Sequence, residues 1–326
     1  MFNRTKTLLT TILFMLVAAT GVNATEIKFN RHLKYTTSEP ILYATTNLLP
    51  KFAEKYGIKD LKITYVDIQE DPVAVQEMLL GNVDVIIGGV SSFAYAYSKD
   101  STKIKLLAGA ETFDMWLFCS NKSINSIKDI KDDTKITIKG LNSGDHLMLR
   151  QYTIAEYGIA NSEKFASNIV VVPRDQAFVL HSSDKPTVDC GVIGSPYQNQ
   201  LVDSGKAHII ARPDNKKVYG FANGMYANAK WLNDNPQLAR ALIEAEAQAV
   251  SEFSEKPLVI LEDFIIKDGL SVSAHDVLDM KKQNNDVYNT SLEPAFATVK
   301  LMYDTGMIDG PNKSLPNSEM VYTPKQ

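Results

Sequence analysis

What most constrains this chain is a repeated local pattern: a short β-branched run ends in glycine or a hydroxyl-bearing turn and leads straight into a helix-like stretch. Residues 83–87 run into Gly88-Gly89-Val90-Ser91-Ser92. Residues 135–139 lead to Leu141-Asn142-Ser143-Gly144 and a helical stretch over 143–157. Residues 187–193 lead to Gly194-Ser195-Pro196-Tyr197 and a helix to 204. Short strands alternating with helices predict α/β layers. Further strands are read at 27–35, 61–66, 104–108, 115–120, 169–172, 207–210 and 220–229. Further helices are read at 39–56, 71–80, 126–131 and 175–181. Pro50 is expected to kink or divide the helix over 39–56, and Gly57, Gly81 and Gly158 are helix stops. After about residue 218 the chain becomes helical. Its longest helix, over 235–253, opens at Asn235-Pro236, and shorter helices follow near Pro257, Ser273 and Leu292. The tail from Pro311 reads as a loop.

A β-rich block over roughly 115–215 thus sits between an α/β half and a helical last third. An economical path leaves a first lobe, builds a second, and returns. Lobe 1 is then 25–114 with 216–326, and lobe 2 is 115–215. The two crossings fall near 111–116 and 211–223. Two lobes joined in this way enclose a hinged cleft, the commonest place for a small-molecule site.

The first residues read as a secretory signal peptide. Arg4 and Lys6 precede an apolar run from Leu8 to Ala19, and Val22-Asn23-Ala24 supplies a small-residue exit. About a dozen apolar residues are too few to span a bilayer, which takes about 20. With no cysteine just after the run, nothing supports a lipid tether. Cleavage after Ala24 leaves a soluble periplasmic chain of about two ordinary domains. It removes two of 34 basic residues against 38 acidic ones, leaving a mildly acidic protein with no basic stripe for nucleic acid. Cys119 and Cys190 each lie in an apolar run; a disulfide is allowed in an oxidising compartment, and buried cysteine also packs as a small hydrophobe. Two cysteines and five histidines give no zinc spacing. No metal or cofactor is expected.

Several segments, in order, carry a family resemblance. Leu80-Gly81-Asn82-Val83-Asp84-Val85 resembles the "G-x-x-D-V" strand of periplasmic solute-binding proteins of the sulfonate, taurine, nitrate and thiamine-precursor group. Ser126-Ile127-Lys128-Asp129-Ile130-Lys131 is similar to that group's "S-I-x-D-L-K-G" segment. Val188-Asp189-Cys190 through Ser195-Pro196-Tyr197 resembles its "V-D-A … P-Y" element, and Trp231 to Pro236 its "W-x-x-x-N-P" segment. The resemblance covers nearly all of the mature chain. It implies the α/β type II periplasmic-binding-protein fold, two α/β lobes joined by a two-strand hinge, and delivery of a solute to the membrane permease of an ABC transporter. Departures occur at Arg31 to Pro40 and at Asp132-Asp133, and they bear on the ligand class.

Ligands in open α/β sheets bind beyond the carboxyl ends of strands. Four turns qualify here: Tyr35, Thr36 and Ser38; Ser91 and Ser92; Asn142, Ser143 and Gly144; and Ser195 with Tyr197. Three open helices, whose unpaired N–H groups and dipole suit a carboxylate, sulfonate or phosphate. The competing role of Ser91, Ser143 and Ser195 is plain helix capping, worth about 1 kcal/mol each. At the first crossing Phe113, Asp114 and Trp116 line the path, one ring facing the cleft and the other the core. Asp114, if directed inward, favours a cationic group on the ligand. Lys139 and Arg150 are expected in exposed salt bridges. The expected function is solute capture by a monomer, with no catalysis, of a small organic anion or zwitterion such as a sulfonate, a taurine-like compound or a carboxylate. The alternatives are a thiamine-precursor pyrimidine stacked on aromatics, or a secreted enzyme or sensor on the same fold. Against an enzyme, Ser143-Gly144-Asp145-His146 lies on one helix start where neighbours do not face each other, and no nucleophile elbow is present.

Overall fold

A computed structural model describes residues 25–31, 39–68, 70–214, 217–268, 272–309 and 318–324. The signal segment 1–24 and most of the tail from Pro311 lie outside the described residues, as do Tyr35, Thr36 and Ser38.

Eleven strands are described: β1 (Glu26–Arg31), β2 (Lys62–Asp67), β3 (Val85–Gly89), β4 (Ile104–Phe113), β5 (Leu117–Cys119), β6 (Ile136–Ile138), β7 (Ile169–Val171), β8 (Cys190–Val192), β9 (His208–Ala211), β10 (Phe221–Asn228) and β11 (Val287–Tyr288). The helices are α1 (Glu39–Tyr43), α2 (Leu49–Lys55), α3 (Asp71–Leu80), α4 (Val90–Lys99), α5 (Gly144–Tyr157), α6 (Arg174–Ser182), α7 (Tyr197–Asp203), α8 (Ala229–Asp234), α9 (Pro236–Glu255), α10 (Pro257–Asp268), α11 (Ala274–Gln283) and α12 (Glu293–Asp304).

The strands form two sheets. The first has the order β11-β4-β10-β3-β1-β2 and the second β7-β6-β8-β5-β9. In the first, β1 runs parallel to β2 and β3, while β10 lies antiparallel between β3 and β4. Every strand of the second sheet falls between Leu117 and Ala211. The chain therefore passes from one sheet to the other between Phe113 and Leu117, and returns between Ala211 and Phe221.

Cores follow the sheets. On one face of the first, Ile27, Phe29, Val85 and Met225 pack against the buried stripe of α9, which includes Leu238, Leu242, Ala245 and Ala249. That spacing of three and four residues is the amphipathic pattern of a helix laid on a sheet. On the other face Ile86, Leu106 and Tyr226 pack against α3, α4 and α12. The second sheet has its own cluster around Leu117, Ile136, Ile138 and Val192. There Cys119 and Cys190 oppose each other across β5 and β8 and are joined by a disulfide.

Several expectations are adjusted. The helix over 39–56 is divided into α1, a π-helical stretch Ala44–Leu48, and α2 with Pro50 in its first turn, where a missing N–H costs nothing. The strand expected at 104–108 continues to Phe113, because its glycine-containing end pairs with β10 on one side and β11 on the other. The helix expected at 126–131 is one 3₁₀ turn, Ile127–Asp129, held by a Ser126–Asp129 capping box.

Candidate functional site

Phe113 ends β4 and Phe221 begins β10, so each ring stands at one of the two crossings. The residues are cross-strand partners. Their rings meet edge to face with centroids 5.5 Å apart, a preferred aromatic geometry. Three strand-to-helix turns close around this pair. Gly89 precedes α4, and a Cβ there would lie 2.7 Å from the Phe221 ring. Gly144 opens α5, and a Cβ there would collide with the same ring. A Cβ on Gly194, before α7, would lie 3.9 Å from the Phe113 ring. The first two approaches need glycine because they leave no room for a side chain.

Across the seam between the two sheet units, polar groups meet directly. Lys139 Nζ lies 3.3 Å from Asp71 and 3.9 Å from Glu70, with its side chain only 3% exposed. Burial pushes the Glu70 carboxyl above its ordinary range, against the pull of Lys139 and Arg174. Arg150 donates to the Thr305 carbonyl at 2.9 Å and pairs with Glu163. The expected exposed roles of Lys139 and Arg150 are thus corrected: the Lys139 side chain is enclosed against Glu70 and Asp71 at the start of α3, and Arg150 is buried because α5 is pressed onto α4 and its Leu147 enters the core of the first unit. Arg150 and burial together hold His146 neutral, burial first, with its pKa lowered to about 4.

The residues expected at the site fall into three groups. Ser91 and Ser92 are buried in the first turn of α4, and their hydroxyl oxygens have no hydrogen-bond partner among the described residues. Ser92 shares a 400 Å³ groove with Asn142, beside Val75, Leu79, Tyr95 and Leu141. Phe113 and Asp114 line a second groove of 790 Å³ with Gln151, Lys217, Tyr219 and Asn285. Both volumes lie in the range of small-molecule sites. Burial raises the Asp114 pKa, opposed by the Asn285 amide bonded at 2.7 Å and by Arg212.

The others have local partners. Ser143 caps α5, accepting from the His146 N–H at 3.4 Å and donating to the Gly140 carbonyl at 2.6 Å. Asn142 takes a left-handed backbone, φ 61°, to make that turn. Ser195 donates to Asn199 Oδ1 at 2.9 Å. Tyr197 bonds Asp175 at 2.6 Å and stacks on Phe178. Trp116 is buried under the Arg212 guanidinium, 4.3 Å from its ring centroid. Phe221 was not singled out in the sequence, although an aromatic at the return crossing is the same signal that marked Phe113. Among the described residues no group of three or more His, Cys, Asp or Glu is arranged to hold a metal ion.

Two sheet units joined by two crossings, with helix starts gathered at the seam, form an architecture that solved structures share. The chain has the periplasmic binding protein fold. It is similar to the periplasmic aliphatic sulfonate-binding protein SsuA of Escherichia coli, at 16% identity and TM-score 0.65, over 93% of this chain and 92% of that one. The alkanesulfonate-binding protein SsuA of Xanthomonas axonopodis pv. citri, bound to MOPS, is similar at 16% identity and TM-score 0.65, over 87% and 94%. A Candida albicans gene product with the generic fold matches at 14% identity and TM-score 0.64, over 89% and 92%. No protein-family model and no curated protein matches the chain.

Proposed function

We propose that this chain is a periplasmic solute-binding protein of an ABC importer, capturing one small molecule between two lobes without changing it chemically. In this reading lobe 1 comprises 25–114 and 216–326, and lobe 2 comprises 115–215. A signal peptide ending near Ala24 exports the chain, which acts as a monomer and hands its solute to a membrane permease. The observation that carries the reading is the gathering of the Gly89, Gly144 and Gly194 turns around Phe113 and Phe221 at the two crossings. Helix starts at one seam offer N–H groups and positive dipole ends to an anionic group, and the aromatic pair offers an apolar wall. Likeness to sulfonate-binding proteins and a disulfide suited to an oxidising compartment support the same reading. The ligand is a small organic anion or zwitterion, such as a sulfonate, a taurine-like compound or a carboxylate. Ser91, Ser92, Asn142 to Gly144 and the turn with Tyr35, Thr36 and Ser38 contact it.

A second reading, an aminopyrimidine of the thiamine-precursor type, is favoured by the buried Asp114 carboxyl at the first crossing, which lines the 790 Å³ groove. A thermal-shift panel on the mature chain separates the two. A ligand at 100 times its Kd adds about 2.7 kcal/mol of stability. Sulfonates, amino-sulfonates and carboxylates are expected to raise the melting midpoint. Shifts confined to aminopyrimidines select the second reading, and no shift with any compound overturns capture.

A further inference from the structure

Ser195 stands where a ligand contact was expected, yet its hydroxyl is spent on a different task. It accepts from the side-chain amide of Asn284, which follows α11 in the first sheet unit. Asn284 Oδ1 accepts from Gln198 Nε2 at 2.8 Å and from Asn199 Nδ2 at 3.2 Å, both on α7 of the second unit. Asn284 Nδ2 also donates to Asn199 Oδ1 at 3.3 Å. Ser195, Gln198, Asn199 and Asn284 are all at most 5% exposed.

Two of these residues also grip the backbone of the first crossing, Asn284 through its backbone carbonyl and Gln198 through its side chain. The Asp114 N–H donates to the Asn284 carbonyl at 2.7 Å. Gln198 Nε2 donates to the Asp114 carbonyl at 2.9 Å, and Gln198 Oε1 accepts from the Trp116 N–H at 3.0 Å. The segment Asp114–Trp116, through which any rotation of one unit against the other must pass, is therefore held from both sides.

Asn284 and Gln198 use both amide hydrogens and the carbonyl oxygen, and Asn199 does so by also donating to Gln283 at 3.0 Å. A buried network satisfied in this way fits one geometry and penalises others, because a half-made set leaves desolvated amides unpaired. Parting the units would separate Asn284 from Ser195 and α7 and expose to water the groups bonded across that contact.

We propose that Asn284, with Gln198, Asn199 and Ser195, is a closure clasp: these are positioning residues that set the angle at which the two units meet, and they act without touching the ligand. The inference rests on the capture reading and names the residues that regulate it.

The test is a distance measurement. Leu80 and Val179 are 73% and 63% exposed, one in each unit, and Leu80→Cys with Val179→Cys accepts a pair of spin labels. The labelled full mature chain is unfolded and refolded to strip any solute, and its distance distribution is recorded by double electron–electron resonance with no ligand added. One dominant distance is expected with the native clasp. Asn284→Ala is expected to shift the balance about tenfold towards a longer distance, with circular dichroism unchanged. Ser195→Ala, which removes only a hydroxyl, is expected to move it in the same direction by less and serves if Asn284→Ala does not fold. The exposed amide variant Asn161→Ala is expected to leave it unmoved. Identical distributions for native, Asn284→Ala and Ser195→Ala chains overturn the clasp. A solute panel that never shifts the melting midpoint sinks the capture reading instead, whatever the distances show.

Discussion

Consider the disulfide between Cys119 and Cys190. Both residues are fully buried at the centre of the second sheet, 71 positions apart in sequence. In the chain-entropy account, closing a loop of that length removes about 15 cal/mol/K from the unfolded chain, or about 4 kcal/mol at room temperature. Replacing both cysteines by alanine restores that freedom and leaves a small void that adds about 1 kcal/mol in the same direction. The effect on the melting midpoint depends on how much of the molecule melts with the loop. Unfolding entropy is about 2 cal/mol/K per residue. If all of about 300 residues unfold together, the midpoint falls by about 8 °C. If the roughly 100 residues around the second sheet melt on their own, the fall is about 25 °C. Differential scanning calorimetry of the Cys119→Ala/Cys190→Ala chain reads both the shift and the number of transitions. A midpoint within about 2 °C of the native chain refutes the reasoning.

Two further outcomes follow from the geometry. Gly144→Ala places a methyl group against the Phe221 ring and should cost about 1–3 kcal/mol by overpacking; made in a Phe221→Ala background the same change should cost much less in a urea titration, and strict additivity of the two would contradict the contact. Burial lowers His146 and His181 to about 4, so between that value and the ordinary 6.5 the unfolded chain binds more protons than the folded one. Their stabilisation is then complete above pH 6.5 and is lost as pH falls towards 4, at up to about 1.4 kcal/mol per pH unit for each. Asp286, raised to about 7 chiefly by burial, works in the opposite direction, so the comparison to make is His181→Gln against the native chain in urea at pH 5 and pH 7. A variant whose stability changes with pH just as the native chain's does would refute the assignment.

Much of this architecture was legible because strands and turns carry their own marks. Val83 to Gly89 and Gly194 to Tyr197 announce strand ends by β-branched residues followed by glycine or hydroxyl turns, and the path out of one unit and back could be drawn from them. Contacts across the seam were not legible, since they join residues distant in sequence. Lys139 reads as an ordinary surface cation until Asp71, 68 positions earlier, is placed beside it. Ser195 reads as a helix-start hydroxyl until Asn284, 89 positions later, is found on it. The extension of β4 to Phe113 was hidden because Gly109 to Thr112 lack alternation and gain their order from β10 and β11. The Gly144 turn was marked, but the reason for its glycine, the Phe221 ring, lies in another strand.

The insertion of β10 between β3 and β4 has a consequence for how the molecule is made. A chain emerging amino end first has β3 and β4 in hand by Phe113, but they cannot zip to each other, because the slot between them belongs to a strand more than a hundred residues away. The second unit, contained wholly within that interval, is free to complete itself while the first waits with an unfilled gap. The first sheet is then completed only when the chain returns and β10 enters that gap, followed by α9, β11 and α12, so a nascent chain halted before Phe221 would hold one folded half and one that is unfinished.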